Sequence, residues 1–92
     1  MKKEKIVITV LGVNKSGVVA NVTSVLAKYN CSIQDMNQTI IDDLFAMILI
    51  VDITDLNMDF AAFKEKIEGK GEEIGVKIFI QHENVFRMMH RI

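Results

Sequence analysis

The residues best suited to chemistry in this chain lie in residues 11–26, LGVNKSGVVANVTSVL. Gly12 and Gly17 have the spacing of the two glycines in G-x-x-x-x-G-K-[ST], a loop whose backbone amides cradle phosphate. Val18 and Val19 stand where that loop needs Lys and Ser/Thr, so the match fails at the residues that carry the chemistry. The dinucleotide pattern G-x-G-x-x-G is absent as well. Ser16 offers a hydroxyl, but no His lies near it in sequence to act as its base. A small acyl-phosphatase-like enzyme would hold phosphate with an Arg near this turn. The arginines are Arg87 and Arg91, both at the far C-terminus. Asp42 and Asp43 are adjacent carboxylates of the kind solvated in a hairpin turn. Cys31, His82 and His90 show no metal-ligand spacing. They read as a buried thiol, a strand-end His and a surface His. The expectation is therefore a protein without catalytic residues, metal or cofactor, and not an enzyme.

Composition narrows the partners. Eleven basic and twelve acidic residues give a net charge of −1. Nucleic acid and anionic membranes both call for a strong basic field, which this chain lacks. An RNA-recognition reading also fails, because the third apolar segment has Phe45 and then only aliphatic residues and Met47, without exposed aromatics and basic residues. The single Cys31 cannot form an internal disulfide, which suits a reducing cytoplasm. The start MKKEK is charged but no signal-peptide pattern follows. The longest unbroken apolar run, residues 44–51, is too short to span a bilayer. A cytoplasmic protein is expected. Half of the 92 residues are hydrophobic, which is high for one small domain with a thin core. Such an excess implies apolar surface that meets a second chain.

The elements that must position the turn follow from periodicity. Residues 5–11, KIVITVL, read as a buried central strand. From Gly17 the period changes: Val18, Val22, Val25, Leu26 and Tyr29 share one face of a helix that ends near Asn30. Residues 32–41, SIQDMNQTII, are more polar and predict a half-exposed edge strand. Residues 44–54, LFAMILIVDIT, are the strongest strand signal, and their unbroken apolar run predicts burial on both faces. Asn57 or Asp59 can cap a second helix with Phe60, Phe63, Ile67 and Ile74 on one face, Gly71 on its inner side and Gly75 at its end. Residues 76–82, VKIFIQH, read as a fourth strand. The order β-α-β-β-α-β predicts an α+β, ferredoxin-like sandwich: a four-stranded antiparallel sheet with both helices on one face and the first and third strands central. One domain spans residues 1–92, with a core at 5–82 and a tail at 83–92. In the tail Val85, Met88, Met89 and Ile92 form an apolar helical stripe. Its two turns are too short to be helical alone, so it is expected to pack on the sheet or on a partner chain, with Arg87 and His90 outward.

Taken alone, the turn reads first as a plain strand-to-helix corner, capped by Ser16 or Asn14 and eased by Gly17. Together with the topology it resembles the ACT domain, a small-molecule-binding regulatory module. Members of that family have a loop of the type Asp/Asn-Arg-Pro-Gly before an aliphatic helix start. Here the loop is Asn14-Lys15-Ser16-Gly17, followed by Val18 and Val19, with Ser16 in place of the frequent Pro. Ile33 matches an Ile early in the family's second strand. The resemblance covers residues 5–82, and the ending ENVFRMMHRI is similar to that of small bacterial proteins made of one ACT module.

That resemblance implies a ligand, usually an amino acid, held at a homodimer interface. Asn14 would bond its polar groups, and the amides from Gly17 to Val19 would meet its carboxylate. Lys15, Ser16, Ser32 and Ile33 complete the implied set, the last two given by the other subunit's second strand. Ser32 stands where some members use an Asn, and it has a shorter reach and one donor instead of two. The implied function is a free-standing regulatory module that signals ligand binding to a protein partner. A protein–protein adaptor with a vestigial ligand site is the alternative. The edge strand is expected to lie beside its equivalent in a two-fold dimer, since an open edge must be paired or covered.

Overall fold

A computed structural model describes residues 4–13 and 17–89 of the chain. Its elements are β1 (Lys5–Val13), α1 (Val18–Lys28), β2 (Ser32–Ile41), β3 (Leu44–Asp52), α2 (Phe60–Ile74), β4 (Lys77–His82) and α3 (Glu83–Met89). The four strands are antiparallel neighbours in the order β2-β3-β1-β4. The two most apolar strands are therefore central, as their composition requires, and β2 and β4 are edges. The fold is the ferredoxin-like βαββαβ sandwich with a short C-terminal helix.

Alternation along each strand sorts the side chains. Ile6, Ile8 and Val10 of β1, Phe45, Met47, Leu49 and Val51 of β3, and Ile78 and Ile80 of β4 face α1 and α2 and are buried. Val18, Val22 and Leu26 of α1 and Phe63 and Ile67 of α2 close the same core. The Tyr29 and Phe63 rings meet edge to face at 6.2 Å, tying the end of α1 to α2. Gly71 is buried on the inner side of α2, and a Cβ there would stand 2.8 Å from Cγ1 of Ile78. This missing side chain is what lets α2 lie close on β4. Gly75 ends α2 in the left-handed conformation.

Two expectations change, and the conformation of one turn is explained. β1 runs on to Val13, because Gly12 and Val13 pair with Phe45 and Leu44. The turn Asp42-Asp43 needs no glycine, because Asp42 itself adopts φ 61°, a conformation short polar side chains tolerate. β3 is not buried on both faces. Ile48 is 39% exposed, and Ala46 and Ile50 are only half-buried. Two helices on one side leave the other side of the sheet to be covered by something else.

Part of that cover is α3. Val7 points away from the core cluster yet is 2% exposed. Among the described residues, α3 is a helix that touches both β1 and β4, and we take it as the cover of Val7. Phe86 is half-buried there, and Arg87 points outward to pair with Glu83 at 3.1 Å. Val85 and Met88 of the stripe are exposed in the single chain. The expected outward His90, and Ile92 of the stripe, lie outside the described residues.

Candidate functional site

The site begins where β1 hands the chain to α1. Gly17 precedes α1 at φ 83° and ψ 0°, in the left-handed region where a side chain is strained. The carbonyl of Gly17 accepts two bonds from Asn21, one from its backbone N–H at 2.9 Å and one from Nδ2 at 2.8 Å. The first turn of α1 is thereby held against its own start. The amides of Val18, Val19 and Ala20 have no acceptor within the helix, as for any helix N-terminus. No acidic residue lies in that first turn, while Lys28 sits in the last. The positive end of the helix dipole is thus left for an outside anion, an effect worth about 0.3–1 kcal/mol at an exposed site.

An open groove of about 450 Å³ lies at this helix start, a size suited to a small molecule. It is lined by Gly17, Val18, Val19 and Ala20 on one side and by Gln38, Ile40 and Phe45 on the other. Gln38 and Ile40 face the helix side of β2, in register with Met47 and Phe45. Sequence reasoning missed Ala20, Gln38, Ile40 and Phe45. For Gln38 and Ile40 the signal was present in the alternation of β2, where Met36, Gln38 and Ile40 share one face.

Of the expected site residues, Gly17, Val18 and Val19 meet at the groove. Asn14, Lys15 and Ser16 lie outside the described residues. Ser32 and Ile33 are elsewhere: they pair with Asp52 and Val51, at the end of the sheet opposite to Val13 and Leu44. Eight strand positions separate Ser32 from Ile41, roughly 27 Å at the rise of a strand. A register shift between Ile33 and Asp35 lets Gln34 turn toward Ser32, and Nε2 of Gln34 donates to the Ser32 hydroxyl at 3.4 Å.

A match to the family model of the ACT domain covers residues 4–81. The chain belongs to the ACT domain family. A UPF0237 protein of Methanococcus maripaludis is 54% identical over 97% of this chain and 99% of its own length. A UPF0237 protein of Methanocaldococcus jannaschii is 48% identical over 96% and 98%. Among solved structures, an ACT domain protein from Streptococcus pneumoniae superposes with a TM-score of 0.80 at 36% identity, covering 92% of this chain and 96% of that one. The resemblance read from the Asn14–Gly17 loop and the element order is thus borne out, and with it a regulatory, ligand-binding type of module.

The other chemistry-bearing residues have local roles in this ACT module. His82 stacks on Phe60 at 4.9 Å between ring centroids, and its Nδ1 lies 3.9 Å from Glu4 Oε2. Cys31 is half-buried, and loss of hydration pushes its thiol up to about 11. Arg87 follows β4 at the end of the sheet remote from Gly17. Among the described residues, no group of three His, Cys, Asp or Glu side chains is placed to hold a metal ion, and no helix is long and apolar enough to cross a membrane.

Proposed function

We propose that this ACT module binds an amino acid at the interface of a homodimer and reports its presence to a protein partner in the cytoplasm. The groove at the start of α1 carries the reading. It joins free helix amides, which suit a carboxylate, to an apolar wall of Val18, Ile40 and Phe45, which suits an aliphatic side chain. Along the groove runs β2, an edge strand.

Two-fold symmetry would join Ser32 and Ile33 to a groove whose β2 residues, Gln38 and Ile40, lie roughly 13–24 Å from them along their own strand. When β2 runs antiparallel beside its copy, the start of one strand meets the end of the other. Ser32 and Ile33 of one subunit then approach Gln38 and Ile40 of the second. A ligand bridging the two subunits favours one dimer arrangement over others, and a partner protein reads that shift.

A thermal-shift screen against the amino acids tests the ligand, and light scattering at micromolar concentration tests the dimer. A ligand at about a hundred times its Kd adds about 2.7 kcal/mol, a melting shift of about 10 °C or more for a domain of this size. No shift with any amino acid replaces this reading with that of a protein–protein adaptor. A monomer by light scattering removes the shared site.

A further inference from the structure

The groove at the start of α1 is lined almost wholly by apolar side chains. Val18, Val19, Ala20, Ile40 and Phe45 supply them, and Gly17 supplies none. Gln38 is the polar side chain among the described lining residues, and none of those residues is charged. Backbone amides there suit a carboxylate, but no side-chain charge balances a second ion. Such a lining favours a zwitterion with an uncharged side chain, whose ammonium then needs an acceptor. The carbonyls of the helix start are engaged. That of Gly17 accepts both bonds from Asn21, at 2.9 and 2.8 Å. The Thr23 hydroxyl donates to those of Val19 and Ala20, at 2.9 and 3.3 Å. Helix carbonyls also point toward the C-terminal end, away from the groove. Gln38 supplies the acceptor. Its side chain is exposed on the helix-facing side of β2, where the residue pairs with Met47. Nε2 of Gln38 donates to Sδ of Met36 at 3.6 Å. A thioether sulfur accepts and cannot donate, so this contact fixes which end of the carboxamide is which. It leaves Oε1 without a partner among the described residues.

We propose that Gln38 is the specificity-determining residue of the groove: its Oε1 accepts the α-ammonium of the ligand, and so selects an amino acid with an uncharged side chain over the 2-oxo acid of the same carbon skeleton. This rests on the groove being the ligand site, and it adds the group that separates one class of small carboxylate from another. The α1 amides cannot make that distinction, because both ligands present the same anion to them. The apolar wall cannot make it either, because both carry the same side chain. The two ligands differ at the α-carbon, where one has an ammonium and the other a carbonyl. An ammonium donates to Oε1. A 2-oxo group sets one acceptor against another and leaves Oε1 unpaired, which is discrimination by an unfavourable contact as well as a favourable one. Met36 acts as a positioning residue, since its hold on Nε2 opposes rotation of the carboxamide that would turn a donor to the ligand. Gln38 and the α1 amides belong to one chain, so the selection needs no residue of a second subunit.

Calorimetric titration of the full chain tests this. The probes are L-alanine, L-valine and L-leucine, each against its 2-oxo acid: pyruvate, 3-methyl-2-oxobutanoate and 4-methyl-2-oxopentanoate. For at least one pair the wild type should bind the amino acid about tenfold tighter or more, as one hydrogen bond to a charged group predicts. Gln38→Leu removes the acceptor and should bring that pair within about threefold, chiefly by weakening the amino acid. Gln38→Glu keeps an acceptor oxygen and should preserve or widen the preference. Gln38 is exposed on an edge strand, so both variants should keep the wild-type circular dichroism spectrum. If Gln38→Leu does not fold, Gln38→Ala is read in the same way. A folded variant without the acceptor that keeps the wild-type preference overturns the proposal and leaves the groove as the ligand site. So does a wild type that binds the 2-oxo acids as tightly as the amino acids. Binding of neither class overturns the proposal together with the reading of the groove on which it rests.

Discussion

Nδ2 of Asn21 donates to the carbonyl oxygen of Gly17 at 2.8 Å, beside the Asn21 backbone N–H that donates to the same oxygen at 2.9 Å. One residue therefore clamps the peptide that begins α1, the peptide whose neighbours present their amides to the groove. Asn21→Ala removes the side-chain bond at a partly exposed site. Stability should fall by about 0.5 kcal/mol, the low end for a hydrogen bond. Affinity for an amino acid that binds the wild type should fall several-fold in calorimetry. Unchanged affinity would show that the clamp does not order the binding amides.

Gly17→Val tests the loop more severely. Its φ of 83° costs a residue with a Cβ about 1–2 kcal/mol, and a β-branched one more. Among the described residues, the heavy atom near such a Cβ is Nδ2 of Asn21, at 3.5 Å, an ordinary contact, and the positive φ sets the cost. The variant should remain folded, since Gly17 is exposed, but lose ligand binding. A binding isotherm equal to wild type would mean that the loop is not the site.

Two glycines of α2 should respond in opposite directions to the same substitution. Gly71→Ala drives a methyl group to 2.8 Å from Cγ1 of Ile78 and 3.1 Å from the Val76 carbonyl oxygen. Backbone cannot yield cheaply, so a loss of about 1–3 kcal/mol in urea unfolding is expected. Gly69→Ala meets nothing within 4 Å among the described residues and should gain about 0.5–1 kcal/mol from helix propensity. Equal effects at both positions would contradict the close approach of α2 to β4.

Removing residues 84–92 uncovers Val7. Exposing one buried Val costs about 1.5 kcal/mol, which lowers the melting temperature by roughly 5–10 °C in a domain of this size. A dye that binds apolar surface should brighten. Unchanged melting and dye binding would mean that another segment covers Val7.

Cys31 sets a pH dependence. Partial burial raises its thiol from 9.0 to about 11 in the folded state. The unfolded chain therefore releases this proton first as pH rises. The contribution of the neutral thiol to stability is complete below pH 9 and is lost between about 9 and 11. At neutral pH Cys31 should react with iodoacetamide far more slowly in the native protein than in urea. Equal rates would show that the thiol is not shielded.

The sequence by itself determined the element order and the arrangement of the sheet. The 3.6-residue period of Val18, Val22 and Leu26, the unbroken apolar run of β3 and the glycines at 71 and 75 are local signals, and each reports a local conformation or one buried face. The element order, with the loop Asn14-Lys15-Ser16-Gly17 and Ile33, also sufficed to recognise the ACT resemblance. The tertiary structure alone decided which residues share the groove. Gln38, Ile40 and Phe45 reach Gly17 only because β1 and β3 are paired neighbours and β2 closes against β3, contacts between positions distant in sequence. The same pairing sends Ser32 and Ile33 to the opposite end of the sheet. It also explains why β3 misled: an apolar run shows that both faces avoid water, but not what covers each. Here α1 and α2 cover one face, α3 covers only an end of the other, and the remaining apolar strands stay open in the single chain.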